Sequence, residues 1–324
     1  MQENKPTSVL QDAAGKMAYT LTNDYLFRAV LQQSNNTLRN LVCSLLHLSP
    51  DKIQSVEITN PIELGKRIDA KTFLLDIKLL LNNDTCINIE MQVLNLGNWP
   101  ERSLGYLCRS FDSLNRGENY LDAKAVIQIS FLDFTLFPQE PALYSKYMFT
   151  NVKTHTIYSD KLQLFVVDLT KIDHATDEDR FYGLHQWAKF FKATTWEEIK
   201  MLVEENKDLA EAAETAYKLS TDETIRQQCE AREDYYLYEQ YRQKKFTQAE
   251  QMLARAEQKL ANAEQKLTNT EQKLTNTEQK LTNMEQKLTN AEQKLTHAEQ
   301  EALEYKQAYE ELLKKFSAGI TDLQ

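Results

Sequence analysis

From Ala256 onward the chain repeats every seven residues: AEQKLAN, AEQKLTN, TEQKLTN, TEQKLTN, MEQKLTN, AEQKLTH, AEQEALE. A period of seven admits little besides an α-helix with one apolar seam, because it returns the same face every two turns. Leu260, Leu267, Leu274, Leu281, Leu288 and Leu295 form one line of that seam, position a. Ala263, Thr270, Thr277, Met284, Ala291 and Ala298 form a weaker companion line, position d. No Pro or Gly interrupts the pattern before Gly319. One helix of about 70 residues is expected, on the order of 100 Å long at 1.5 Å per residue. Lys259 and Lys266 fall at g, and Glu264 and Glu271 at e, with later repeats alike. In a parallel pair each g lysine meets an e glutamate of a second copy, whereas an antiparallel pair sets like charges together. No Glu-to-Lys i,i+4 pair within one helix accounts for the pattern. Two readings follow: a parallel homo-oligomer, or a solvated tail, since Thr and Ala at d bury little area.

Ahead of the repeat the chain is ordinary in composition. Its net charge is -10 over 324 residues, and 13 acidic against 10 basic side chains from Phe246 onward leave -7 for the rest. An acidic balance disfavours DNA binding by the whole surface, though not by a local basic groove. The most apolar stretch, residues 125–137, is broken by Gln128, Ser130 and Asp133, so no membrane span is expected. The polar N-terminus lacks a signal-peptide layout, and a cytoplasmic protein is expected. Cys43, Cys86, Cys108 and Cys229 stand far apart, which argues against a zinc ribbon or a disulfide framework and for buried reduced thiols. No Gly-rich phosphate loop, serine nucleophile elbow or metal-spaced histidine set occurs.

Residues 1–245 alternate between patterns. Asn23 or Thr22 caps a helix through Leu26, Phe27, Val30 and Leu31, and a second helix runs from Leu38 to Leu46. Strands are expected at 53–59, 74–81, 86–93, 125–131 and 162–169. A helix over 101–116 carries Leu104, Leu107, Cys108, Phe111 and Leu114 on one stripe, and 177–245 reads as helical.

The chemistry concentrates in one hairpin. Leu75, Ile77, Leu79 and Leu81 share a face of the first strand, and Ile87, Ile89, Met91 and Val93 share one of the second. A three-residue loop, Asn82-Asn83-Asp84, matches these faces; a two-residue loop sets Asp76 against Met91 and spoils them. The favoured register puts Leu81 opposite Thr85, Ile77 opposite Ile89, and Asp76 opposite Glu90, with Gln92 one step along. Opposed like charges destabilise a sheet and need a compensating cation. That compensation is Lys78, in an ordinary polar face, a shared proton, or a metal such as Mg²⁺ or Mn²⁺.

Several blocks resemble PD-(D/E)XK nuclease family transposases, also called recombination-promoting nucleases. They are Thr22-Asn-Asp-Tyr-Leu-Phe-Arg, Leu75-Asp-Ile, Asn88-Ile-Glu-Met-Gln, Glu101-Arg-Ser-Leu-Gly-Tyr, Arg116-Gly-Glu-Asn-Tyr, Ile127-Gln-Ile-Ser-Phe-Leu-Asp-Phe, Trp187-Ala-Lys-Phe-Phe and the region around Arg226 to Asp234, in order over about 18–245. The resemblance implies an α/β (α+β) fold, a restriction-endonuclease-like core with a mixed sheet flanked by helices. It implies a Mg²⁺-dependent endonuclease acting on DNA, with Mn²⁺ as an alternative metal. By position, Asp76 and Glu90 are acidic ligands, the Met91 carbonyl a further one, and Gln92 stands where the superfamily's lysine usually lies. Asp24 matches an acidic position that joins the metal shell or merely favours its helix N-terminus. Arg102, Tyr106 and Arg109, at i, i+4 and i+7, face phosphates or solvent, as do Lys78, Lys66, Arg67 and Lys71. The domains expected are a flexible 1–17, a nuclease core over 18–175, a helical extension over 176–245, a coiled coil over 246–317 and a tail. A catalytically inactive DNA-binding or coiled-coil assembly protein is the alternative.

Overall fold

Alternating apolar residues in residues 53–170 form strands β1 (Val56–Ile58), β2 (Ile77–Leu81), β3 (Thr85–Gln92), β4 (Ala125–Leu132), β5 (Tyr144–Thr150) and β6 (Ile157–Asp168). They make one mixed sheet in the order β1-β2-β3-β4-β6-β5, with β3, β4 and β6 parallel and the outer pairs antiparallel. The structure, a computed structural model, describes residues 9–62, 64, 76–112 and 119–321. The chain divides into two compact units, up to Lys244 and from Lys245.

The hairpin adopts the register that the pattern demands: Ile77 pairs with Ile89 and Leu81 with Thr85 across the loop 82–84. Asn82 and Asn83 take φ of 49° and 61°, a left-handed region that Asn tolerates better than most residues. Leu74 and Leu75 lie outside the described residues.

Helices α1 (Asp24–Gln32) and α2 (Asn35–Leu46) begin at Asn23 and Ser34, whose side chains accept from the backbone N–H groups of Leu26 and Thr37. The later helices are α3 (Trp99–Phe111), α4 (Asp177–Phe181), α5 (Leu184–Lys192), α6 (Trp196–Glu205), α7 (Ala210–Thr221) and α8 (Glu223–Thr321). The main core gathers Ile77, Leu79, Ile87, Ile89, Ile129 and Phe131 from the sheet with residues of α1, α2 and α5. Phe27, Phe131 and Phe191 meet edge-on at its centre, with ring centroids 5.0–5.7 Å apart. On the opposite face Trp99, Leu132 and Val166 form a smaller cluster.

At four places the fold departs from the sequence expectations or adds to them. Residues 9–17 are not a loose tail: Leu10, Ala13 and Met17 are buried, and the Met17 N–H donates to the Thr194 carbonyl. The helices of 177–221 share the main core with the sheet, through Trp187, Phe190, Ile199 and Ala213. Strand β5 escapes the sequence pattern because it is an edge strand on which Tyr144 alone is buried. Helix α3 buries Trp99, Ser103 and Leu107 and leaves Leu104 and Cys108 exposed, so its inward face is rotated from the expected stripe.

The heptad segment is helical throughout to Thr321. Its position-a leucines, Leu260 to Leu295, are each 58–61% exposed in the single chain. Threonines at b and d bond back to the carbonyl four residues earlier, as Thr270 does to Lys266 at 2.9 Å.

Candidate active site

Asp76 stands one residue ahead of β2, next in line after the Ile77–Ile89 pair, on the step where β3 carries Glu90. Its backbone is pinned. Arg28, buried within α1, and Asn60 Nδ2 both donate to the Asp76 carbonyl. Asn60 Oδ1 in turn accepts from the Lys78 N–H at 2.8 Å. A buried Arg in the middle of an apolar helix is thus explained: Arg28 ties α1 to the strand that presents Asp76.

Both carboxylates are buried, at 7% exposure each. One oxygen of each, Asp76 Oδ1 and Glu90 Oε2, is buried without a hydrogen-bond partner. The other oxygens face cations of unequal quality. Glu90 Oε1 accepts from Arg102 Nη2 at 2.6 Å, whereas Lys78 Nζ stays 4.0 Å from Asp76 Oδ2 and is half-exposed. Burial pushes the Glu90 carboxyl up to about 7; Arg102 pulls it down, and Asp76 and Asp24 push it further up.

This raised pKa has a thermodynamic consequence. The folded chain holds the Glu90 proton above the ordinary value of 4.5 at which the unfolded chain releases it. Stability therefore falls as pH rises from about 4.5 to about 7, by an amount on the order of a few kcal/mol, and levels off above. Urea unfolding across this window, wild type minus Glu90→Gln, measures that slope; equal slopes for the two proteins refute it.

Gln92 does not point freely into solvent. Its Nε2 donates to the Leu94 carbonyl at 2.9 Å, and its Oε1 accepts from Arg102 Nη1 at 3.1 Å. Arg102 also donates from Nε to Tyr106 Oη at 2.9 Å and lies over the Trp99 and Tyr106 rings. Arg109 is exposed two turns along α3, and Lys66, Arg67 and Lys71 lie outside the described residues.

Asp24 lines the same cleft, but both its oxygens are taken by Arg232, with Nε to Oδ1 at 2.7 Å and Nη2 to Oδ2. It is engaged in an ion pair, which leaves Asp76 and Glu90 as the carboxylates with oxygen to spare. Arg232, Tyr235 and Tyr236 come from the first turns of α8 and line the cleft, of about 70 Å³, with Glu90, Met91 and Gln92. Arg232 falls in the family-like region 226–234, but no local spacing ties it, or Tyr235 and Tyr236, to the hairpin more than 130 positions away. Beside them burial pushes the Cys229 thiol up to about 12, which excludes a thiolate nucleophile at neutral pH. A larger groove of about 260 Å³ between α3 and the β5–β6 end of the sheet is apolar, and its one ionisable side chain is Tyr147.

Two carboxylate oxygens without partners form an all-oxygen donor set, which suits a hard divalent cation such as Mg²⁺ or Mn²⁺. Among the described residues, no group of three or more His, Cys, Asp and Glu side chains is placed to hold a metal. Asp76 and Glu90 would therefore need backbone carbonyl, water or substrate oxygens to complete a coordination shell. Among the described residues, no helix is long and apolar enough to cross a membrane.

No curated protein and no solved structure matches this chain. A family model described as PD-(D/E)XK nuclease family transposase matches residues 21–245. That span takes in the whole sheet, the acidic hairpin and the first turns of α8, and the sheet with its flanking helices is consistent with a restriction-endonuclease-like core. The chain belongs to the PD-(D/E)XK nuclease family transposases.

Proposed function

We propose that this protein is a Mg²⁺-dependent DNA endonuclease, with Mn²⁺ as a substitute, that hydrolyses phosphodiester bonds in recombination or mobile-element processes. The observation that carries the reading is the pair of buried, unpartnered oxygens Asp76 Oδ1 and Glu90 Oε2. Two neighbouring buried carboxylates, one bonded by Arg102 and the other 4.0 Å from a half-exposed Lys78, with one oxygen of each unpaired, are costly in a resting protein, and a divalent ion lowers the cost.

Asp76 and Glu90 would hold the metal, with the Met91 carbonyl as a further ligand. When bound, the metal supplies Lewis-acid stabilisation of phosphoryl charge and activation of water. Gln92 Oε1 keeps a lone pair beyond its bond from Arg102 and can orient a water, but it adds no charge and is no useful base. Lys78, Tyr106 and Arg109 are candidates for phosphate contacts along the cleft. The test is supercoiled plasmid with Mg²⁺ or Mn²⁺, with and without chelator. Nicking or linearisation that stops with chelator is expected. A well-folded chain that cuts under none of these conditions favours the second reading, an inactive DNA-binding or assembly protein. That reading has one observation behind it: both ends of the Gln92 amide are held within the protein.

The row of exposed position-a leucines supports a parallel homo-oligomer, because a seam of this length is left uncovered in one chain. Sedimentation of the full chain should give a dimer or higher species, and Leu274→Asn with Leu281→Asn should shift it towards monomer. A wild type that sediments as a monomer at micromolar concentration rejects the assembly.

A further inference from the structure

The cleft contains one guanidinium that touches two of its working side chains at once. Arg102 Nη2 reaches Glu90 Oε1 at 2.6 Å, and Arg102 Nη1 reaches Gln92 Oε1 at 3.1 Å. Its third inward donor, Nε, is used by Tyr106 at 2.9 Å, and the plane is held over the Trp99 and Tyr106 rings at 5.2 and 5.4 Å. A phosphate-binding arginine keeps its fork free for the ligand; this one spends its fork inside the site. Lys78, at 4.0 Å from Asp76 and half-exposed, cannot do the same job.

We infer that Arg102 is a positioning residue for the proposed nuclease, the fixed cation that holds Glu90 by one oxygen so that the other is presented, and that sets Gln92 beside it. The inference rests on the endonuclease reading. Its geometry carries a specific corollary: because the residue 92 side chain already reaches the Arg102 guanidinium, a lysine at 92 can place its ammonium where that guanidinium acts.

The experiment compares wild type, Arg102→Ala, Arg102→Lys and the double variant Arg102→Ala/Gln92→Lys. Each is assayed for plasmid cutting, for thermal unfolding, and for affinity towards a labelled duplex in chelator. Loss of a preorganised charge lowers turnover of Arg102→Ala by on the order of 100-fold. Duplex affinity should stay within about twofold, since a guanidinium occupied internally contributes little to phosphate binding. Arg102→Lys and the double variant should recover at least about tenfold of the lost rate. A folded Arg102→Ala that cuts as fast as wild type overturns the inference alone. So does a loss of cutting matched by an equal loss of duplex affinity, or a double variant no better than the single one. A wild type that cuts nothing removes the endonuclease reading and this inference with it.

Discussion

Asp76→Asn should abolish cutting and leave the fold as stable as before, or more stable. The two effects have opposite signs for one physical reason. Asp76 is buried with an oxygen that bonds to nothing, beside a second buried carboxylate and 4.0 Å from a half-exposed lysine. Removing that charge relieves a like-charge pair, which on strands is worth roughly 0.2–1 kcal/mol. Asn keeps the volume, and the bonds from Arg28 and Asn60 go to the backbone carbonyl, which the substitution leaves in place. Asn, however, contributes no negative charge to a divalent cation, so the cutting rate should fall by at least on the order of 10²–10³. Plasmid cleavage and urea unfolding on the same preparation provide both numbers. A variant that loses a few kcal/mol of stability along with its activity points to a structural aspartate instead.

Arg232→Ala should be the most destabilising single change in the cleft. Arg232 and Asp24 form a bidentate pair with both side chains at or below 10% exposure. Removing one partner of such a pair leaves a buried, uncompensated charge, at a cost of about 3–5 kcal/mol. For a unit of this size that corresponds to a drop in Tm of roughly 6–20 °C. Arg232→Lys should recover only part, because an ammonium cannot match the two-pronged geometry. Asp24→Asn combined with Arg232→Gln should recover more than either single change, since no lone charge remains. A loss below about 1 kcal/mol for Arg232→Ala, within the range of an exposed pair, rejects the description of this pair as a buried clamp between α1 and α8.

These two results separate kinds of acidic residue that look alike in a sequence. Asp24 and Asp76 each belong to a block shared with the family, each sits near an element terminus, and each is buried. What distinguishes them is the partner. Asp24 meets an arginine 208 positions away, whereas Asp76 meets another carboxylate. The same holds for arginines. Arg28 and Arg102 belong to motifs legible in the sequence, yet one holds up a strand and the other holds Glu90 and Gln92.

Periodicity alone determined the long helix, the hairpin and its register, because these depend on residues within a few positions of one another and on a strict alternation of faces. It therefore also set Asp76 beside Glu90. Tertiary packing decided which carboxylates keep a free oxygen, that Arg102 turns inward, that the first turns of α8 close the cleft, and that residues 9–17 and 177–221 join the sheet's own core. Those outcomes depend on burial and on charge pairs between segments far apart in the chain, and no local spacing encodes the distance between them.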